Sequence, residues 1–403
     1  MQRQIIYTIL SRGASTALNF FIALLIARHA GPVVKGDVTL LVTTLSFFIF
    51  FSNIMGGQAM VYLIPRNKIE LLAIPAYLWT AAIALLGFII LKFTTIIHAN
   101  HVPSLAVLSL LSAVINIHQT VLLAKKKISS SNLLTVASLL LQVAGILFCF
   151  YYLRINDAYA YIYSSLLAYL VVAVASFLMV KQWIPFSAFA ADFSWAELKQ
   201  SVRYGVLYQL VEILQLLNLR YYFYQLGLQQ GPQYLGIYSI GISILEAVWI
   251  IPRSMATVHY VSTSNSEQVK QEAVRTVQLI KWALLLCSAA LLVIYLVPSS
   301  VYVLVFGGGF SDVKHSMRYL FPGILVYSIP LVISSFYFGI GKYKPLVISN
   351  AIGAVAIVLF SYLLIPKYVM SGAGLAASIS FAISAFVLLL YFVIDHRKDY
   401  LTT

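Results

Sequence analysis

The sequence predicts an all-α polytopic membrane protein, with twelve transmembrane helices in two pseudo-symmetric six-helix bundles around a central cavity. Three observations carry this expectation. Of 403 residues, 61% are hydrophobic and only 9% are charged, against about 25% charged in soluble domains. The apolar residues gather into runs of about 20, the length that crosses a hydrocarbon core of roughly 30 Å. A Gly-Pro turn with the polar pattern that follows it recurs 200 residues later.

The runs are Ile5 to Arg28, Val38 to Ile64, Leu71 to Ile97, Leu105 to Ala124, Leu133 to Leu153, Ala158 to Val180, Val202 to Leu226, Gly236 to Tyr260, Thr276 to Val297, Val313 to Phe338, Pro345 to Ile365 and Gly374 to Ile394. No small-residue cleavage site follows the first, so it reads as a retained span rather than a removed signal. The basic run Lys125 to Lys127 closes the fourth and reads as a topology determinant at anionic headgroups. Between the sixth and seventh lies a segment with Trp183, Phe186, Phe189, Phe193 and Trp195, the composition of a chain lying in the headgroup layer. Ser194 and Glu197 there have capping-box spacing and would start the seventh helix. The expected organisation is a bundle at residues 1–182, an interfacial linker at 183–201 and a second bundle at 202–403. No connection is long enough to fold as a soluble catalytic module.

Twenty-six Lys and Arg against twelve Asp and Glu give a net charge of +14. In a soluble domain that excess would suggest nucleic acid, but here the charges flank apolar runs, so no nucleic-acid partner is expected. Eighteen basic residues fall on the side of the N-terminus and eight on the other. The positive-inside rule then places both termini in the cytoplasm. Cys149 and Cys287 lie inside apolar runs as packing residues, with no disulfide framework. Seven scattered His form no ligand set, and Gly307-Gly308-Gly309 lacks the Lys-Ser/Thr that completes a phosphate loop. No cofactor, no metal and no enzyme activity are expected.

Gly31-Pro32 after the first span matches Gly231-Pro232 after the seventh. Under the same shift Thr39, Thr43, Ser46, Asn53 and Gly57 align with Ser239, Ser243, Glu246, Arg253 and Thr257. At 100° per residue each set occupies one helix face. Arg12, Thr16 and Asn19 line a face of the first span, and Tyr208, Glu212, Gln215 and Tyr222 a face of the seventh. Parallel repeats with polar stripes point to a transport path at their interface.

Ionisable residues within spans mark such paths, because charge in hydrocarbon is costly. Glu212 and Glu246 fall near mid-span and are the candidates for coupling or gating. Arg12 and Arg253 would make the cavity positive, and Arg holds phosphate through paired donors. The shift also sets Arg12 opposite Glu212, a pair that could form in one conformation and part in another. Asn19, Thr43, Asn53 and Gln215 supply amide and hydroxyl groups for a sugar. Arg28 and Arg220 read as interfacial anchors, and His259 as a pH-sensing candidate at the end of the eighth span.

Several segments carry a family resemblance: Gly13 to Ser15 through Ala27 to Pro32, Tyr62 to Arg66, Leu217 to Arg220, Gly236 to Ser239 with Glu246, Trp249 and Pro252, and Phe306 to Phe310 with Leu320, Pro322 and Gly323. Gly339 to Pro345, Asn350, Leu364 to Pro366 and Gly372 to Ala376 complete the set. In this order they resemble the O-antigen-type polysaccharide biosynthesis proteins, lipid-linked oligosaccharide flippases of the multidrug/oligosaccharidyl-lipid/polysaccharide exporter superfamily. The resemblance implies a V-shaped pair of bundles that alternates access in the bacterial inner membrane. It implies a polyprenyl-diphosphate-linked oligosaccharide as cargo for lipopolysaccharide or other surface polysaccharide, moved with ion-gradient or potential coupling. Membrane lipids, a glycan polymerase and glycosyltransferases are the implied partners. Relatives commonly carry an Asp after the Asn-x-Arg motif of the seventh helix, where this chain has Tyr222, so Glu212 or Glu246 is the better coupling candidate. Two alternatives remain. A cation-coupled multidrug exporter would share the fold but favour an acidic cavity. A membrane glycan polymerase or ligase would present a large periplasmic loop with catalytic charges.

Overall fold

A computed structural model describes residues 2–57, 60, 63–64, 68–184, 195–264, 266 and 268–400. The chain is all-helical with no strand among these residues, and twelve long helices are counted among them. The first helical stretch, Gln2–Gly56, breaks at Gly31 into α1 (2–30) and α2 (32–56). Then follow α3 (Ile69–Lys92), α4 (Val102–Ala124), α5 (Ile128–Phe148), α6 (Ala158–Val180) and α7 (Trp195–Gln230). After Gly231 come α8 (Pro232–Ser264), α9 (Val269–Leu296) and α10 (Phe321–Gly339). The last stretch, Lys344–Tyr400, breaks at Val369 into α11 (344–368) and α12 (370–400). Among the described residues nine stretches are long and apolar enough to cross a membrane, two of which, Leu10–Gly56 and Lys344–His396, each hold two of these helices. The more polar α7 completes the twelve.

The repeat seen in the sequence is a repeat of backbone geometry. Gly31 has φ 78° and ψ −178°, and Gly231 has φ 101° and ψ 160°. That corner of conformational space is open essentially to glycine alone. The following proline forces its predecessor out of the helical region and then takes the first helical position, where its missing N–H is no loss. One dipeptide thus ends one helix and starts the next.

The tenth span is shorter than the sequence suggests. Pro322 occupies the first turn of α10, and the residues before it form a separate short helix, Val313–Met317. Val369, at φ 49° and ψ −123°, is a β-branched residue outside the regions it favours. The aromatic linker at 185–194, with its Ser194 cap, and most of the Tyr62 to Arg66 segment lie outside the described residues.

The chain divides into two compact units, Met1–Ile213 and Leu214–Thr403. This boundary falls inside α7, later than the linker at 183–201. Gly205 shows why: a β-carbon there would overlap the Ile54 carbonyl, so the first part of α7 lies against the end of α2. In the first unit α4 is central, in contact with α3, α5, α6 and the α1–α2 stretch. Side chains tie the end of α2 to its neighbours: Trp79 Nε1 donates to the Phe51 carbonyl at 2.9 Å and Thr120 Oγ1 to that of Gly56 at 3.0 Å. In the second unit α10 is central, against α8, α9 and the α11–α12 stretch. Its core is aromatic, with Trp249, Tyr327 and Phe381 packed together and Trp249 Nε1 donating to the Ile324 carbonyl at 2.8 Å. α9 buries a single stripe, Ala273, Thr276, Ile280, Ala283, Cys287 and Leu291, and exposes apolar residues elsewhere. Both cysteines are free and buried.

Replacing Gly31 or Gly231 with Ala is expected to cost about 1–3 kcal/mol each. Gly308→Ala, with no positive φ and open space at its β-carbon, is the neutral control. Thermal unfolding of purified protein in detergent measures the difference, and equal melting temperatures for all three variants would contradict it.

Candidate functional site

Each unit supplies its own polar groups. In the first, Arg12, Thr16 and Asn19 occupy an exposed face of α1. Thr16 and Asn19 donate to carbonyls one turn back, those of Arg12 at 3.0 Å and Ser15 at 2.9 Å. The Arg12 side chain makes no ion pair among the described residues, so the expected pairing with Glu212 is not formed here. Glu212 is half-buried on α7. On α2, Thr39, Thr43 and Ser46 also donate to the preceding turn, and Thr43 is buried. Such back-bonding is how a hydroxyl is accommodated in an apolar helix. Asn53 Oδ1 accepts from Asn116 Nδ2 of α4 at 2.5 Å, which makes it an interhelical contact as well as a polar group.

In the second unit, Glu246 of α8 and Arg220 of α7 form a two-pronged ion pair, Nη1 to Oε1 at 2.6 Å and Nη2 to Oε2 at 2.7 Å. The Arg220 side chain is 25% exposed and that of Glu246 18%, and the guanidinium lies over the Phe223 ring at 5.1 Å. Parallel N–H to oxygen bonds are the strong form of this contact. Arg220, read from the sequence as an interfacial anchor, is in this structure the partner of Glu246. The missed signal was distance from the shared turn: residue 220 lies eleven positions before Gly231 and residue 246 fifteen after. Antiparallel neighbours bring such positions to similar depth at 1.5 Å per residue. Tyr222, placed on the polar stripe by its spacing, is buried edge-on to Phe223 and Tyr238, and its side chain hydrogen-bonds Arg220.

Arg253 differs from Arg220. It is exposed, its guanidinium rests 5.6 Å from the centre of the Trp249 ring, and it has no carboxylate partner among the described residues. Pro252 explains the local geometry. Its ring displaces the carbonyl four residues back, and α8 tightens into a 3-10 turn over Ala247–Trp249 just before it. The released Val248 carbonyl lies 4.0 Å from the Cys287 thiol. Gln215 is half-buried on α7.

The end of α8 holds a second polar cluster. His259 is buried with Nε2 2.8 Å from Thr276 Oγ1 and Nδ1 3.3 Å from Glu272 Oε2. Ser262 donates to Glu272 at 2.8 Å, and Arg275 donates to Ser262 at 3.0 Å. This cluster ties α8 to α9. Lys35, counted with loop charges in the sequence, is buried in the first turn of α2 and donates to Thr39 Oγ1 at 2.8 Å. Arg28 and Lys125 to Lys127 are exposed. Among the described residues no three His, Cys, Asp or Glu side chains converge as metal ligands.

A family model described as MatE matches residues 223–363, a stretch that holds Glu246 and Arg253. None of the curated proteins matches the sequence. Among solved structures, an inward-facing multidrug resistance MATE family transporter of the MOP superfamily is similar with a TM-score of 0.78 at 15% identity, covering 96% of each chain. The lipid II flippase MurJ in an inward closed conformation gives 0.76 at 15% identity, covering 98% of this chain and 89% of that one. An outward-facing MATE family transporter gives 0.70 at 15% identity, covering 99% and 97%. The chain therefore has the fold these proteins share.

Removing one partner of the Arg220–Glu246 pair leaves a partly buried charge without its counterion, and each of Arg220→Gln and Glu246→Gln should destabilise by about 1–3 kcal/mol. The double variant should lose less than the sum of the two. Melting temperatures of the four proteins in detergent complete the cycle, and strictly additive losses would rule out the pair.

Proposed function

We propose that this protein is a flippase that moves polyprenyl-diphosphate-linked oligosaccharide from the cytoplasmic to the outer leaflet by alternating access, for O-antigen or similar surface polysaccharide. The observation that carries this reading is the sign of the charge left after pairing. Glu246 is occupied by Arg220, whereas Arg12 and Arg253 are exposed and without a carboxylate partner among the described residues. A diphosphate cargo needs such cations, since guanidinium groups bind phosphate through paired donors. Asn19, Thr43, Asn53 and Gln215 are the proposed sugar contacts, and Glu212 and Glu246 the coupling or gating residues, Glu246 through exchange of its partner. Eighteen basic residues against eight support cytoplasmic termini in a bacterial inner membrane. The likeness to a structure named as a lipid II flippase supports a lipid-linked cargo.

A second reading, a cation-coupled multidrug exporter, is favoured by the MatE match and by the similarity to multidrug resistance transporters. The two readings separate on charge. A cationic drug would be repelled by Arg12 and Arg253 and would need free acidic groups.

Deleting the gene from a strain with no redundant flippase should leave lipid-linked glycan in the cytoplasmic leaflet. Complementation with Arg12→Ala or Arg253→Ala should restore flipping at least about tenfold less well than wild type, the loss of roughly one charged hydrogen bond, at equal protein abundance. Normal surface polysaccharide in the deletion strain, together with new drug sensitivity, would favour the exporter and overturn the flippase.

A further inference from the structure

Two helix faces of matching spacing meet at the end of α8. His259, Ser262 and Thr263 lie three and four residues apart on α8, and Glu272, Arg275 and Thr276 repeat that spacing on α9. Each trio therefore occupies one face of its helix. His259 is 1% exposed and Thr276 is buried. The Glu272 side chain is 11% exposed and that of Arg275 48%, so the cluster runs from a buried ring through a carboxylate to the surface.

The protons of the cluster can be assigned one by one. Thr276 has a single hydroxyl proton, which it donates to the Glu272 backbone carbonyl at 2.7 Å, an oxygen that only accepts. The Thr276 oxygen lies 2.8 Å from His259 Nε2, so Nε2 carries a hydrogen and donates. The other ring nitrogen, Nδ1, faces Glu272 Oε2 at 3.3 Å. Ser262 donates to Oε1 of the same carboxylate at 2.8 Å, and Thr263 to Oε2 at 3.4 Å. With the hydrogen fixed on Nε2, a neutral ring turns a bare lone pair toward a carboxylate oxygen. One proton added at Nδ1 replaces that opposition with a charged hydrogen bond. Thr263 serves the empty state, since its hydroxyl also lies 3.5 Å from Nδ1 and can donate there instead.

We infer that His259 and Glu272 form a proton-binding site, in which a proton from solvent enters at the partly exposed carboxylate and bonds to Nδ1, while Thr263 turns its hydroxyl from Nδ1 to Oε2. The cluster gains one positive charge, and the Nε2 bond to Thr276 stays in place. Glu272 and Arg275, both on α9, are the charged groups that act on the ring among the described residues. The carboxylate holds the proton, and the Arg275 guanidinium, 3.9 Å from Oε1, competes for the same carboxylate. α10 faces the ring with Phe336, stacked on it at 6.3 Å, and His396 of α12 lies edge-on to Phe336. Glu246 is thirteen residues earlier on α8, about 20 Å by helical rise, so this proton is separate from the Arg220–Glu246 pair and does not depend on the cargo.

Deuterium exchange at the histidine C2 hydrogen, read by mass spectrometry on the purified full-length protein in lipid nanodiscs, reports the titration of each histidine without a variant. His259 should follow a sigmoidal curve with a midpoint between about pH 4 and 8, with the exposed His315 as internal control. Glu272→Gln should weaken proton binding at His259 at least about tenfold, the effect of losing an opposite charge at this distance, and leave His315 unchanged. Arg275→Gln should strengthen it about two- to fivefold, the size of a partly exposed charge pair. A merely structural cluster would give an exchange rate at His259 that stays flat across this range. That result, or one curve shared by the wild type and Glu272→Gln, would overturn the inference, and the wild-type curve alone can do so if a variant folds poorly.

Discussion

A polar group within the hydrocarbon layer has no water to bond, so each must find a partner inside the protein or face a wet surface. The helices meet this constraint in a fixed order. Hydroxyls take the nearest solution, a carbonyl one turn back, as in Thr16, Thr39, Thr43, Ser46, Ser243, Ser254 and Thr257. Some amides do the same, as Asn19 and Asn350 do, but others bond across helices: Asn53 to Asn116, Gln142 to Ser165 and Asn218 to Ser380 and Ser384, as does the ring of His259 to Thr276. Charge is the last case. Arg220 and Glu246 close on each other. Among the described residues the exceptions include the exposed guanidinium groups of Arg12 and Arg253, which have no carboxylate partner.

The two halves share a frame but not a chemistry. Gly31 and Gly231 repeat the same backbone corner, and the helices that follow begin on the same proline. Yet the 200-residue shift sets Phe20 against Arg220 and Ser46 against Glu246. The ion pair thus belongs to the second half only. The frame can be duplicated because it depends on glycine and proline geometry, whereas a charge pair has to be matched side chain to side chain and diverges freely once one partner is lost.

Most of the fold was legible because length and hydropathy act along the chain. The twelve spans, the Gly-Pro breaks and the buried cysteines needed no knowledge of neighbours. Helix ends were less so: Pro322 moved the start of the tenth span, and Gly205 carried the first part of α7 into the first unit. The candidate site was legible in its residues and not in its partners. Glu246 stood out as a costly charge, but its bond to Arg220 depends on how α7 and α8 lie side by side, which periodicity on one helix does not encode. Tyr222 fitted a polar stripe by spacing; its ring is buried while its hydroxyl bonds Arg220, because a tyrosine carries an apolar body and a polar tip.

The pairing of Glu246 also bears on which cargo the fold can carry. A free acid near mid-span would bind a cation directly. Held by two hydrogen bonds to Arg220, it offers its charge only when that contact opens, and opening leaves the guanidinium exposed at the same moment. An anionic cargo can therefore replace the carboxylate at Arg220, freeing Glu246 as it does so. A cationic cargo would replace Arg220 at Glu246 and leave an arginine beside it. With Arg253 adding positive charge two turns along α8 from Glu246, the first exchange would lower the electrostatic energy and the second raise it. Under the proposed flippase function, the same ion pair that ties α7 to α8 would favour negatively charged cargo.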